Sequence, residues 1–246
     1  NSDVKGPRAG HGTMVAGNVA AVRGNGVGPD GVTSNAQLMI LLVVPDGDER
    51  DKDVANAILY AVNNGASIIN MSFGKGYSPQ KHFVDSALRV ANEHDVLIVH
   101  AAGNDGENVD VEVHYPSNFD ENGNVINDKF IVVGASTNSA GKKLPASFSN
   151  YGKKSVDIFS PGQDIYSCAP GNKYESASGT SMASPVATGV ATIIRAYFPE
   201  LTAKEVKEIL LESAVKYDMK VLLPGGGKKK VSFSELSVTG GVINAY

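Results

Sequence analysis

One cysteine, Cys168, stands in a chain of 246 residues, so no internal disulfide can form. That fits a reducing compartment, and equally an exported protein that needs no cross-links. Cys168 itself reads as a small packed residue rather than a catalytic thiol. Long apolar runs are missing as well. The longest, Leu38 to Val44 (LMILLVV), falls far short of the roughly 20 residues that span a bilayer. Positive charge is not in surplus: the net charge is −4, which removes the basic footprint expected of a nucleic-acid binder. The sequence opens at Asn1 without a charged-then-apolar leader, so any targeting segment is expected to have been removed or to lie outside it.

What is present is ordinary for a protein with a real core: 42% hydrophobic and 20% charged residues. Apolar stretches alternate with helical patterns almost from end to end. Helices are expected at Met14–Val22, Asp53–Asn64, His82–His94, Ser181–Tyr197 and Thr202–Ala214, the last opened by a Thr202/Glu205 capping box. Strands are expected at Gln37–Val44, Ser67–Met71, Val96–His100 and Phe130–Val133. The continuous apolar run 37–44 suits a strand buried on both faces. Strands separated by helices imply βαβ crossovers and a mostly parallel, doubly wound α/β sheet with helices on both faces, three layers in all. No repeat or linker divides the chain, so one domain over 1–246 is expected. The Lys228–Lys230 run reads as a solvated loop.

Three short stretches carry chemistry. In GHGTMVAG (Gly10–Gly17), His11 is set among small residues where a helix begins. In SGTSMASPVATGVA (Ser178–Ala191), Ser181 follows Gly179-Thr180 and opens an Ala/Val-rich helix. A serine there is by itself a helix cap. The glycine, however, leaves its hydroxyl approachable, and free N–H groups at a helix start can stabilise an oxyanion. In VLIVHAAGNDG, an apolar strand runs into Asn104 at the carboxyl edge of the expected sheet, where open α/β sheets bind ligands. Taken alone, Asn104 is a turn asparagine.

In this order, HGTMVAG, AAGND and GTSMASP resemble the subtilisin-like serine peptidases, the subtilases. The resemblance runs from Gly10 to Tyr246 and includes SIINMSFG (Ser67–Gly74) and GGVINAY (Gly240–Tyr246). It implies Ser181 as nucleophile, His11 as general base and Asn104 as side-chain oxyanion donor, partnered by the N–H of Ser181. It also implies that Ser72, Phe73 and Gly74 hold the substrate backbone as an added strand. Ala101, Ala102 and Gly103 would form one wall of the primary specificity pocket. His114, beside Tyr115-Pro116, would stand at the floor, making that pocket shallower or more polar than the open form.

The family pattern also requires an aspartate that orients the histidine. Only ten residues precede His11, and Asp3 in SDVKG has the wrong setting. The aspartate is therefore expected upstream of this chain, which would be an N-terminally incomplete peptidase domain. Met14 and Val186 replace histidines common in the family, at positions that carry no proton transfer. The expected activity is endopeptidase hydrolysis of a polypeptide, without an organic cofactor. A missing N-terminal segment or propeptide of the same gene product is the other expected partner. Calcium is frequent in the family, but the loop RGNGVGPDG offers few carboxylates, so no metal is assigned. By resemblance alone the location is secreted or cell envelope.

Two other function classes compete: a catalytically inactive peptide-binding protein on the same fold, and an α/β esterase. The esterase pattern needs a G-x-S-x-G elbow and a histidine last in order, and neither is present. Gly26–Gly31 fits G-x-G-x-x-G, but it follows a helix and precedes an expected strand, the reverse of a dinucleotide site. Ser78-Pro-Gln-Lys81 and the Asn70-Met-Ser72 sequon are chance matches on this reading.

Overall fold

The computed structural model describes residues 10–44 and 48–245. Among the described residues five α-helices are formed: α1 (Gly10–Ala20), α2 (Asp51–Asn63), α3 (Lys81–Glu93), α4 (Thr180–Tyr197) and α5 (Ala203–Glu212). The main sheet contains β1 (Ile68–Met71), β2 (Leu97–Ala101), β3 (Phe130–Ser136), β4 (Ile158–Pro161), β7 (Val215–Lys216) and β10 (Gly241–Val242). Its order is β1-β2-β3-β4-β10-β7, parallel except for the β10–β7 pair. Two antiparallel hairpins stand apart: β5 (Ile165–Ala169) with β6 (Lys173–Ala177), and β8 (Lys220–Leu222) with β9 (Lys230–Ser232).

The pleat explains the layering. Successive side chains of a strand point to opposite faces, and here both faces are apolar. Leu97 and Val99 of β2, with Ile131 and Val133 of β3, pack against Ala183, Ala187 and Val190 of α4 and Val206 and Leu210 of α5. Ile98 and Phe130 face the other way, onto Val54 and Ile58 of α2 and Val84 and Leu88 of α3. The three-layer α/β expectation therefore holds. Helix α5 is capped as the sequence indicates, Thr202 and Glu205 each bonding the other's backbone N–H.

Helix α4 crosses the sheet on small residues. A Cβ placed on Gly189 would come 2.5 Å from Val32 Cβ, so that close approach requires glycine. Pro185 lies inside α4 and has no N–H to donate to Ser181 O one turn earlier. The hydroxyl of Ser72 donates to that carbonyl instead, at 3.0 Å.

One expected strand is corrected. Residues 37–44 form no strand, and Leu38, Met39, Ile40 and Leu42 are 46, 42, 52 and 53% exposed. A doubly buried strand needs a hydrogen-bonded neighbour and a covered face. Among the described residues nothing pairs with this run, and the outer edge of β1 is likewise unpaired. The run Arg23–Gly31 closes α1 as a turn, as the sequence indicates, exposed from Arg23 to Gly28 and buried at Gly31, and no described helix is long and apolar enough to cross a membrane. Asp3 and Tyr246 lie outside the described residues.

Candidate active site

Three elements bring their ends to one place. Helix α4 begins at Thr180, directly after Gly179, and the turn after β2 carries Gly103 and Asn104 to it. Asn104 Oδ1 accepts from the Thr180 N–H at 2.8 Å and from Thr180 Oγ1 at 3.0 Å. Thr180 Oγ1 in turn accepts from the Gly103 N–H at 3.1 Å. The Asn104 amide stands broadside to Gly179, its Nδ2 and Oδ1 nearly equidistant, at 3.6 and 3.7 Å, from where a Cβ would stand there. A Cβ placed on Gly179 would lie 3.0 Å from Ser181 Oγ and 3.6 Å from Asn104 Nδ2. Both atoms therefore border the space that Gly179 leaves open.

The first N–H groups of α4 are used unequally. Thr180 N–H goes to Asn104, and Met182 N–H goes to Gly179 O at 3.0 Å. The N–H of Ser181 meets no acceptor among the described residues. A side-chain N–H and a main-chain N–H are thus both uncommitted beside the serine, the pair of donors that a developing oxyanion needs.

His11 occupies the first turn of α1 and is exposed. Protein packed beyond the ring displaces water and lowers its pKa from the ordinary 6.5, favouring the neutral form. Helix α1 packs on α4, with Asn18 Nδ2 3.5 Å from Met182 Sδ. Among the described residues no hydrogen bond joins His11 to Ser181.

The other residues singled out in the sequence converge from three directions. Ser72 holds the start of α4 through Ser181 O, while Phe73 packs on the α2/α3 side of the core. Lys75 exchanges both backbone hydrogen bonds with Tyr115, at 3.0 and 2.9 Å, which seats the 72–75 segment beside His114. Ala101 and Ala102 are buried, and only Gly103 of that trio is partly open. Gly103 has φ +104°, and a Cβ there would come 2.9 Å from His114 Nδ1 and 2.2 Å from Asn150 Nδ2. His114 therefore packs on the main chain immediately before Asn104.

Sequence reasoning missed the residues that position these. Asn70, in β1, accepts through Oδ1 from Ser184 Oγ (2.8 Å) and Thr188 Oγ1 (2.9 Å) of α4, and donates through Nδ2 to Ser72 Oγ (2.9 Å). Asn150 is fully buried and accepts from the N–H groups of Asp105 and Glu107 at 3.0 and 2.9 Å. An asparagine inside the apolar run SIINM was the available signal for Asn70; Asn150, in a loop, gave none. The glycosylation reading of Asn70 stays rejected, since its amide is occupied. Ser78 and Lys81 bond Asp51 and Asp85, so the S-x-x-K match is structural.

In the loop after α1 the polar side chains are engaged within the loop itself: Asp30 accepts from Gly24 N–H, Asn25 Oδ1 accepts from Val27 N–H, and Arg23 donates to Gly31 O.

The model of the subtilase family matches residues 1–235. The chain is 38% identical over 206 residues to the cell wall-associated protease of Bacillus subtilis (strain 168), covering 83% of this chain and 21% of that protein. It is 35% identical over 209 residues to subtilisin DY of Bacillus licheniformis, covering 83% and 70%. The major intracellular serine protease of Bacillus subtilis (strain 168) is 35% identical over 227 residues, covering 89% and 66%. The chain thus spans as little as a fifth of the length of the curated relatives it matches. Among solved structures, the S41 psychrophilic protease superposes with a TM-score of 0.80 at 29% identity, covering 98% of this chain and 79% of that one. The prenylagaramide maturation protease PagA gives 0.76 at 28%, covering 98% and 82%. The chain belongs to the subtilase family.

Proposed function

We propose that the protein is a serine endopeptidase that hydrolyses peptide bonds through an acyl-enzyme on Ser181. The observation that carries this is the space beside Gly179, bordered by Ser181 Oγ and by the uncommitted Nδ2 of Asn104. Ser181 Oγ attacks the scissile carbonyl carbon and gives its proton to His11. The oxyanion so formed is held by Asn104 Nδ2 and the Ser181 N–H. His11 returns the proton to the departing amine, the C–N bond breaks, and water activated by His11 releases the acyl group.

The aspartate that orients His11 is supplied, on this reading, from upstream of residue 1. Two features support it. Among the described residues the outer edge of β1 is unpaired, and most of the apolar run 37–44 is exposed, as if a strand between them were to be added. The substrate is an extended polypeptide lying along Ser72–Gly74, with a side chain directed toward Gly103 and His114. An exported or envelope location follows the cell wall-associated relative; the intracellular relative is the competing precedent.

The test is intact mass after exposure to a fluorophosphonate, with Ser181→Ala as control, on this chain and on the longer gene product. An adduct on Ser181 that is absent from the variant is the expected result. If the longer product carries an Asp-Ser/Thr-Gly stretch and still fails to react, the activity reading is overturned in favour of peptide binding without catalysis.

A further inference from the structure

We infer that Asp105, Glu107 and His114 form a binding site for a zinc-class divalent transition-metal ion at the back of the specificity pocket. The inference rests on the pocket placement proposed above. His114 Nε2 lies 3.3 Å from Asp105 Oδ2 and 3.9 Å from Glu107 Oε2, and one ligand atom from each residue falls within 4.8 Å of the others. A tetrahedral zinc with bonds of about 2.0–2.2 Å sets its ligand atoms roughly 3.3–3.6 Å apart. One separation already has that value; the other two lie within 4.8 Å, so the carboxylates must draw closer to share an ion.

Charge is a separate observation. Among the described residues, neither Asp105 nor Glu107 has a lysine or arginine within ion-pair distance; their one shared partner is His114. Two carboxylates thus face a single imidazole, leaving negative charge that a divalent cation would neutralise. The imidazole decides the class of cation: calcium and magnesium take oxygen donors, whereas one nitrogen and two carboxylates suit zinc. The three protein ligands leave a fourth position for water or a substrate group. The side chains of Asp105 and Glu107 are 55 and 48% exposed, so an ion can enter from solvent.

The frame is rigid where it needs to be. Asn150 Oδ1 takes the N–H groups of both Asp105 and Glu107, fixing the backbone from which the two carboxylates project. Its Nδ2 donates to Ala102 O at 3.0 Å; it also lies 3.4 Å from His114 Nε2, and an ion on that nitrogen would take the lone pair this longer contact uses. An ion on His114 would sit next to Gly103, one residue from Asn104. Its occupancy would narrow the pocket and lower kcat/KM for substrates with a large side chain before the scissile bond.

The experiment is competition between untagged protein and a chromophoric zinc chelator, titrated with zinc chloride near pH 7.5. The expected result is one zinc per chain in the wild type. Asp105→Asn/Glu107→Gln and His114→Gln should each weaken it at least about tenfold, since even indirect partners of a metal ligand are worth that much. The first variant alters only exposed side chains, and circular dichroism checks its fold. Equal zinc affinity in wild type and both variants, the lack of a stoichiometric site, or equal displacement by calcium would overturn the inference. Fluorophosphonate labelling of Ser181 without zinc, run in parallel, reports on the peptidase reading alone, so the two can fail separately.

Discussion

Asn104 accepts with one end of its amide and is free to donate with the other. Thr180 fixes the orientation by giving both its N–H and its hydroxyl to Oδ1. Removing the donor should therefore affect the transition state more than substrate binding. For Asn104→Ala, kcat is expected to fall by about 10²–10³ with KM little changed, the loss that follows removal of the side-chain oxyanion donor in a subtilisin. Asn104→Asp separates two explanations, because it keeps the acceptor for Thr180 and loses the donor. If the loss reflects the oxyanion, both variants show it in steady-state kinetics and Asn104→Asp keeps its melting temperature. Asn104, His11 and Ser181 stand out as candidates in the sequence because each sits in a short motif with glycine or other small residues around it. Asn150 and Asn70 were not, because their roles come from hydrogen bonds between segments far apart in the chain, which no local pattern encodes.

Between elements, the Ser72–Lys75 segment and helix α4 are joined by what a proline removes. Pro185 leaves Ser181 O without its helical donor, and Ser72 supplies one, with Asn70 holding Ser72 from behind. A second clamp fixes the far end of that segment. Lys75 Nζ lies 2.8 Å from Asp51 Oδ1 at the start of α2, with side chains only 9 and 4% exposed, and donates to Glu49 O at 2.6 Å. Breaking a buried pair by removing one partner leaves the other charge stranded. Lys75→Met should cost about 3–5 kcal/mol in urea unfolding; adding Asp51→Leu removes the stranded charge but also the acceptor of Ser78 Oγ and the Gln80 N–H, so it recovers only part of the loss. A cost below about 1 kcal/mol for the single change would mean that water replaces Lys75. Helices α2 to α5 are legible to within two residues or so because their apolar periodicity and caps are local. Helix α1 begins earlier than its apolar residues indicate, since the glycines around His11 hide its first turn. The hairpins β5–β6 and β8–β9 escape a reading of the sequence because their alternation is weak and mostly polar. The run 37–44 misleads because burial depends on a neighbour that hydropathy does not reveal.

At the scale of the molecule, the alternation of apolar side chains along β2 and β3 made the layered sheet readable, and the one polar interruption of β2 sets a global property. His100 is buried among β1, β3 and the Gly74 turn; its Nδ1–H donates to Met71 O at 3.1 Å and its ring meets Phe130 edge-on at 5.8 Å. Burial, helped by the neighbouring His114 and opposed by the Met71 hydrogen bond, lowers its pKa from 6.5 to about 4. Between those two pH values the unfolded chain binds a proton that the folded chain refuses, so stability rises with pH across the window. The contribution of neutral His100 is complete above pH 6.5 and lost as pH falls toward 4, about 3 kcal/mol in all. Asp157 and Glu49 work against it at the acid end, since burial holds both carboxyls above their usual range. The difference between wild type and His100→Leu isolates the histidine from that background. Urea unfolding at intervals from pH 7 to 4.5 should show a stability slope in the wild type that is flatter in the variant, even though the variant is less stable at pH 7. Parallel curves would place the proton uptake at another group.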